Sequence, residues 1–275
     1  MSTAEFWLTA WQWHYYFLAF IGFWGYWFFL LKKNVSTKNE HWIFYWLSFL
    51  LLIFAVASPL AYLSGGFVFY AHMIQHVLLL MVVPALLWMS RADSFNVKKH
   101  PFNRPYWAWA VFIAFMWVLH YPLLTSWLVT EPSSGVCPPF AASAGGTHSE
   151  LSHILHALSL FLALLVGLWF YYPVLGNRSL QRLHPLRSVA YLVTACIGCS
   201  LLGIAITFSP HLLYPDFYPK LSHPVGQLVW QHWHITPRAD QQIAGLIMWV
   251  PGCLIYLTLS MRIFLKWINQ YDGTV

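Results

Sequence analysis

Long apolar stretches, free of Asp, Glu, Lys and Arg, alternate along the chain with short polar segments. They cover residues 6–31, 41–90, 105–130, 151–177, 188–215 and 241–261. A membrane-spanning helix needs about 20 apolar residues at about 1.5 Å of rise per residue. The stretch 41–90 is long enough for two helices, and Ser58-Pro59 with Ser64-Gly65-Gly66 supplies a break. The pattern predicts an all-α membrane protein of seven transmembrane helices.

The seven predicted spans form one domain over residues 1–275. Their approximate bounds are 7–31, 41–63, 67–90, 106–129, 151–175, 188–211 and 241–263. Two long segments connect spans on the same side of the membrane. Segment 130–150 is rich in Pro, Ser, Gly and Ala, whereas segment 212–240 is apolar and interrupted by four prolines. The second segment either lies in the membrane interface or folds back onto the helices.

Composition and charge give the surroundings and the orientation. Apolar residues make up 59% of the chain and charged residues 8%, against roughly 45–50% and about 25% in soluble domains. With the N-terminus outside, twelve of the 14 basic residues fall on the inner side. The positive-inside rule therefore predicts an outer N-terminus and an inner C-terminus. We expect a multi-pass protein of the inner or plasma membrane. The net charge of +6 reflects anchoring to the lipid bilayer, and no nucleic acid is expected as a partner.

Histidines show the opposite asymmetry to the basic residues. Only three of the fourteen face the predicted inner side. The outer half holds His14, His72, His76, His120, His148, His153, His156, His211, His223, His232 and His234. The positive-inside rule does not explain this distribution, so it is the main functional signal in the chain.

His72 and His76 are four residues apart within the third predicted span and share one helical face. Counted from Phe67, His76 lies roughly 14 Å along the helix, deep in the hydrocarbon layer. Polar side chains at that depth pair with neighbouring helices or line a cavity. Two imidazoles on one face, joined by others from adjacent helices, predict a transition-metal site. Hydrogen bonding between helices is the alternative interpretation.

Other side chains extend this candidate site. His120 closes the fourth span, His153 and His156 share a face in the outer turn of the fifth, and His14 lies two turns into the first. Imidazole binds Zn, Cu, Fe and Ni, so histidine does not select the metal. The thioether of Met73 favours Cu(I) if it is a ligand, and ordinary packing is the alternative.

Two further features carry polar or sulfur groups. Asp240 opens the seventh span, where it either binds free backbone amides at a helix start or accepts a hydrogen bond from a ligand imidazole. Cys196 and Cys199 have C-x-x-C spacing within the sixth span, where packing is the favoured interpretation. Asp and Glu are absent from every span interior, which disfavours a proton-coupled transporter.

Five segments of the chain resemble the seven-span CtaG-like cytochrome c oxidase assembly factors. They are SPLAYLSG from Ser58, AHMIQHVLLLMVVPAL from Ala71, HYP from His120, WFYYPVLG from Trp169 and DQQIAGLIMWVPG from Asp240. The segments run from the second span to the seventh. The family has another histidine pair, four residues apart, in the fifth span. Here His156 fills its first position, Leu160 stands at the second, and His153 lies one turn earlier.

The resemblance implies a non-enzymatic factor in the maturation of haem–copper respiratory oxidases, with oxidase subunits as partners and copper as the metal. It implies that His72, His76, His120 and Asp240 are the positions that matter most. His153 or His156 would complete the ligand set. Two alternatives stay open: a redox protein with His-ligated haem b, and a metal-free subunit or scaffold of the oxidase.

Overall fold

The computed structural model describes residues 2–11, 17–32, 39–90, 104–128, 147–176, 183–217 and 224–272. Within these ranges the chain is helical and contains no strand, which confirms the all-α class. The helices are α1 (Thr3–Thr9), α2 (Phe17–Lys32), α3 (Asn39–Ala57), α4 (Pro59–Ser64), α5 (Phe69–Met89), α6 (Pro105–Leu119), α7 (Pro122–Leu128), α8 (Thr147–Leu175), α9 (Pro185–Thr207), α10 (Pro224–Gln227) and α11 (Pro237–Asp272).

Among the described residues, four helical segments are long and apolar enough to cross a membrane. They are Phe69–Met89, Ile154–Leu175, Pro185–Thr207 and Pro237–Gln270. Shorter apolar helices, Phe17–Leu30, His41–Ala57 and Pro105–Leu119, coincide with the other three predicted spans. Large apolar side chains are exposed on the outward faces of the long helices, as lipid contact requires. Seven spans and the orientation of the termini stay predictions.

Two junctions that contain proline divide apolar stretches of the sequence into separate helices. The predicted span 106–129 is two helices, because α6 ends at Leu119 and α7 begins at Pro122. Proline disfavours helical geometry in the residue before it, so the helix ends near Tyr121. In the same way α3 ends before Ser58, whose hydroxyl accepts a hydrogen bond from the Leu60 amide at 3.2 Å at the start of α4.

The predicted loops hold more structure than their composition indicates. α8 begins at Thr147, within the predicted loop 130–150, and residues 129–146 lie outside the described ranges. Segment 212–240 contains a 3₁₀ turn (Pro215–Phe217), α10 with a π-helical turn after it, and the first residues of α11. α11 begins earlier than the predicted span 241–263 because Pro237 is pre-organised for a first helical turn. The first predicted span, 7–31, corresponds to α1 and α2, with 12–16 undescribed.

Helix α5 widens just after its two histidines. Residues Leu78–Val82 are π-helical, and the amide of Val83 bonds to the carbonyl of Leu78, five residues back. Pro84 causes this, because it has no N–H and its ring would clash with the carbonyl of Leu80 in a regular α-helix. The neighbouring helix α8 passes close by at Gly167, where an added Cβ would lie 2.7 Å from the Pro84 ring.

The central hydrophobic core joins α5, α6, α8, α9 and α11. The longest interface in this core is between α9 and α11, which pack closely because small residues face each other. A Cβ on Gly245 would lie 2.7 Å from the carbonyl oxygen of Gly203. A second cluster packs α2 and α3 against α5 and α8, and a third packs α1 and α4 against the segment from Val225. α5 therefore runs through the centre of the molecule, between these clusters.

Candidate metal centre

Three buried histidines converge near the start of α5. The ligating nitrogens of His72, His76 and His120 all lie within 4.8 Å of one another. The Nε2 atoms of His72 and His76 are 3.0 Å apart, and all three residues are at most 3% exposed. The structure thus brings together three of the predicted site residues, two from one helix and one from the end of another.

The local structure orients the third imidazole. His120 ends α6, one turn after Met116, and its Nδ1 lies 2.6 Å from the Met116 carbonyl oxygen. A carbonyl can only accept, so Nδ1 carries the proton and Nε2 keeps its lone pair. The Nε2 atom is buried and has no hydrogen-bond partner. A metal ion would satisfy such an atom.

His156 supplies a fourth imidazole at the edge of the cluster. Its ring centroid is 5.7 Å from that of His72, and the residue is buried. The side chain of His153 and the whole of His14 lie outside the described residues. Met73 is fully buried in the central core, and Leu160 packs in the second cluster. The structure therefore places His156 next to His72, and the choice between His153 and His156 stays a prediction.

Asp240 binds the helix that carries the histidine pair. Its two carboxylate oxygens accept hydrogen bonds from the backbone amides of Phe69 and Tyr70, at 2.7 and 2.8 Å. These are the first amides of α5. Val68, which precedes them, has an apolar side chain that cannot accept their hydrogen bonds. A buried carboxylate at a helix start is stabilised by the free amides and by the helix dipole. Asp240 thus fixes α5 in place from α11 instead of bonding to an imidazole.

Two glutamines add further attachments around the centre. Gln75, between the two histidines of α5, donates from Nε2 to the carbonyl of Ala55 at 2.6 Å. Gln241 accepts from the amide of Leu213 and donates to the carbonyl of His211. Gln75 therefore ties α5 to α3, and Gln241, next to Asp240, ties α11 to the segment after α9.

The segment after α9 folds back onto the centre, one of the two arrangements that its sequence allows. Phe217 packs 5.1 Å from His72, and Tyr214 stacks on Phe69 at 4.0 Å between ring centroids. The Tyr214 hydroxyl donates to the carbonyl of His120 at 2.7 Å. Burial raises the pKa of Tyr214, so this hydroxyl stays protonated and remains a donor. Sequence reasoning missed both aromatics, although Tyr214-Pro215 marks a turn in an apolar segment.

The donor set favours a small cation of low charge. Metal–imidazole bonds are about 2.0–2.1 Å long, so two nitrogens about 4 Å apart can share one ion. Closing the separations of up to 4.8 Å, and opening the hydrogen-bonded His72–His76 contact of 3.0 Å, takes side-chain shifts of less than about 1 Å. The three ligands are neutral when they bind metal, so the ion's charge is left uncompensated by them. The cost of burying an ion grows with the square of its charge, which favours a monovalent over a divalent ion.

Comparison with known proteins adds one match. A family model described as cytochrome c oxidase caa3 assembly factor matches residues 22–134 and 147–270. These two regions contain all four clustered imidazoles and Asp240. No curated protein and no solved structure gives a significant match.

Proposed function

The chain belongs to the cytochrome c oxidase caa3 assembly factor family, and we propose that it serves oxidase assembly by holding Cu(I) and passing it to the oxidase. His72, His76 and His120 are the proposed ligands, with His156 close enough to complete the set. The observation that carries the proposal is the convergence of three buried ligating nitrogens within 4.8 Å. Asp240, Gln75 and the aromatic segment hold the ligands in place.

Cu(I) is the proposed ion for reasons of charge and exchange. Imidazole is a good ligand for copper, and a monovalent ion with neutral ligands is cheaper to bury than a divalent one. A centre with three or four ligands releases its ion stepwise, one bond at a time, which suits delivery. Copper is cargo in this account, no substrate bond is changed, and the chain is proposed to act without catalysis. Its proposed partners are subunits of the oxidase in the inner or plasma membrane.

The geometry favours an ion over haem b. Haem ligation by two histidines requires imidazoles on opposite faces of a macrocycle. Here the Nε2 atoms of His72 and His76 lie 3.0 Å apart on one helix, and Phe217 packs beside them. Two imidazoles on one helix, hydrogen-bonded to each other at this distance, cannot lie on opposite faces of a macrocycle. A metal-free scaffold is the remaining alternative, and the experiment below distinguishes it.

In cells that lack this protein, the assembled oxidase is expected to be deficient in copper, and the wild-type chain should restore the copper. The variant His72→Ala should restore oxidase subunits without restoring copper, because it keeps the fold and loses a ligand. The measurement is copper per haem in the purified oxidase. Copper added in excess to the medium should partly rescue the variant.

The matched control is His232→Ala, which removes an exposed histidine from the same predicted side of the membrane. It should restore copper as the wild type does. If His72→Ala restores oxidase copper fully, the proposed role of the centre is wrong. If the deleted strain lacks oxidase subunits but the remaining oxidase has full copper, the scaffold alternative is correct.

A further inference from the structure

A pair of soft sulfur donors lies one helical turn from the metal centre. Met116 precedes His120 by four residues on α6, and its Sδ is 3.5 Å from the Sγ of Cys199 on α9. Both side chains are at most 1% exposed. The hydroxyl of Tyr256, on α11, lies 4.0 Å from the same thiol sulfur. Three helices thus enclose a thiol and a thioether that touch each other.

Close helix packing produces this contact. A Cβ on Gly198 would lie 2.8 Å from Cδ1 of Ile113, so the lack of a side chain at Gly198 lets α9 come this near to α6 without displacing Ile113. Ile113 and Met116 are three residues apart and share a face of α6. The approach at Gly198 therefore brings the adjacent Cys199 against Met116.

We propose that Cys199 and Met116 form a second binding site for Cu(I), a station beside the three-histidine centre. For its source of copper, this inference rests on the function proposed above. Thiolate and thioether sulfur are the donors that select Cu(I). One thiolate neutralises the single charge of the ion, so the loaded site is neutral, as the apolar core requires. The S–H bond breaks as the copper–sulfur bond forms, and the proton is released to the buffer, so one positive charge enters the core as another leaves it.

A neighbouring thiol pair fits this role less well. The Sγ atoms of Cys196 and Cys253 are 3.0 Å apart, and the Ser200 hydroxyl is 3.1 Å from Cys253. Two thiolates around one monovalent ion leave a net negative charge, which is costly at this depth. Cys253 is also only half-buried, whereas Cys199 is enclosed. The pair therefore serves as the matched control.

The test is Cu(I) binding by the full-length protein in detergent without oxygen, with a chromophoric chelator as competitor and X-ray absorption to identify the ligand atoms. The wild type should bind two equivalents and show copper–sulfur scattering. Cys199→Ser should lose one equivalent and the sulfur scattering. Met116→Leu keeps the volume of the side chain and should give the same loss. The double variant of Cys196→Ser and Cys253→Ser should retain both.

The double variant of His72→Ala and His76→Ala separates this inference from the proposed function. It should lose the nitrogen-bound equivalent and keep the sulfur-bound one. If all copper in the wild type is sulfur-bound, the three-histidine proposal fails and the sulfur site stands. The sulfur site is overturned if the wild type shows no sulfur scattering, if that scattering survives both Cys199→Ser and Met116→Leu, or if the control double variant loses it.

Discussion

Replacing His76 with alanine is expected to weaken Cu(I) binding at the three-histidine centre by roughly 100-fold to 1,000-fold. Structural zinc sites in small peptides are worth about 10–16 kcal/mol, so a copper site of similar strength has about 2.5–4 kcal/mol for each of four ligands. Each 1.4 kcal/mol is about tenfold in affinity. The Nε2 of His76 lies 3.0 Å from that of His72. No other imidazole of the described cluster is placed to replace it as a ligand. Competition with a chelator of known Cu(I) affinity measures the change.

The control for His76→Ala is again His232→Ala, an exposed histidine, which should bind copper as the wild type does. A loss of less than about threefold in His76→Ala would mean that His76 is not a ligand. Equal losses in the two variants would mean that the measured affinity belongs to exposed imidazoles and not to the buried centre.

Replacing Asp240 with alanine should destabilise the protein and also weaken copper binding, although Asp240 touches no ligand. The change leaves the amides of Phe69 and Tyr70 buried without their acceptors. Hydrogen bonds to a charged group contribute about 1.5–3 kcal/mol each, so a loss of about 3 kcal/mol or more is expected. The melting temperature in detergent should fall by on the order of 10 °C. Copper affinity should fall about 10-fold to 100-fold, as it does when groups that orient ligands are removed.

Two further variants, Asp240→Asn and Gln242→Ala, show whether the loss of stability and copper affinity depends on the Asp240 carboxylate. Asparagine keeps one acceptor oxygen but turns an N–H₂ group towards the second amide, so its effect should be smaller than that of alanine. Gln242 is exposed on the same turn of α11, and its replacement should change neither stability nor affinity. If Asp240→Ala is as stable as Gln242→Ala, the carboxylate does not hold α5 in place.

Hydropathy predicted the helices well and their ends less well. A charge-free stretch shows where the chain can be helical in a membrane, but it carries no information about a junction made of apolar residues. Tyr121-Pro122 is such a junction, and it divides the fourth predicted span. The apolar segment 212–240, interrupted by prolines, was similarly predicted as a loop, yet it contains short helices and the start of α11. Local proline geometry, more than hydropathy, sets these boundaries.

The spacing of His72 and His76 in the sequence predicted the ligand pair. It did not predict the residues that hold this pair in place. His72 and His76 share a face because they are four residues apart, and a helix alone fixes that. The capping of α5 by Asp240 joins residues 171 positions apart. The contact of Cys199 with Met116 spans 83 positions, and the C-x-x-C spacing was interpreted as packing. Such contacts depend on how helices pack, which one sequence does not specify.

The most direct test of the central claim is the copper content and absorption spectrum of the wild-type protein, purified without added metal from copper-replete cells. The double variant of His72→Ala and His76→Ala is purified in parallel. We expect the wild type to carry copper, the double variant to carry one equivalent less, and neither to show the strong Soret band of haem. Equal copper in the two proteins, or a Soret band that disappears in the double variant, would contradict the three-histidine copper centre.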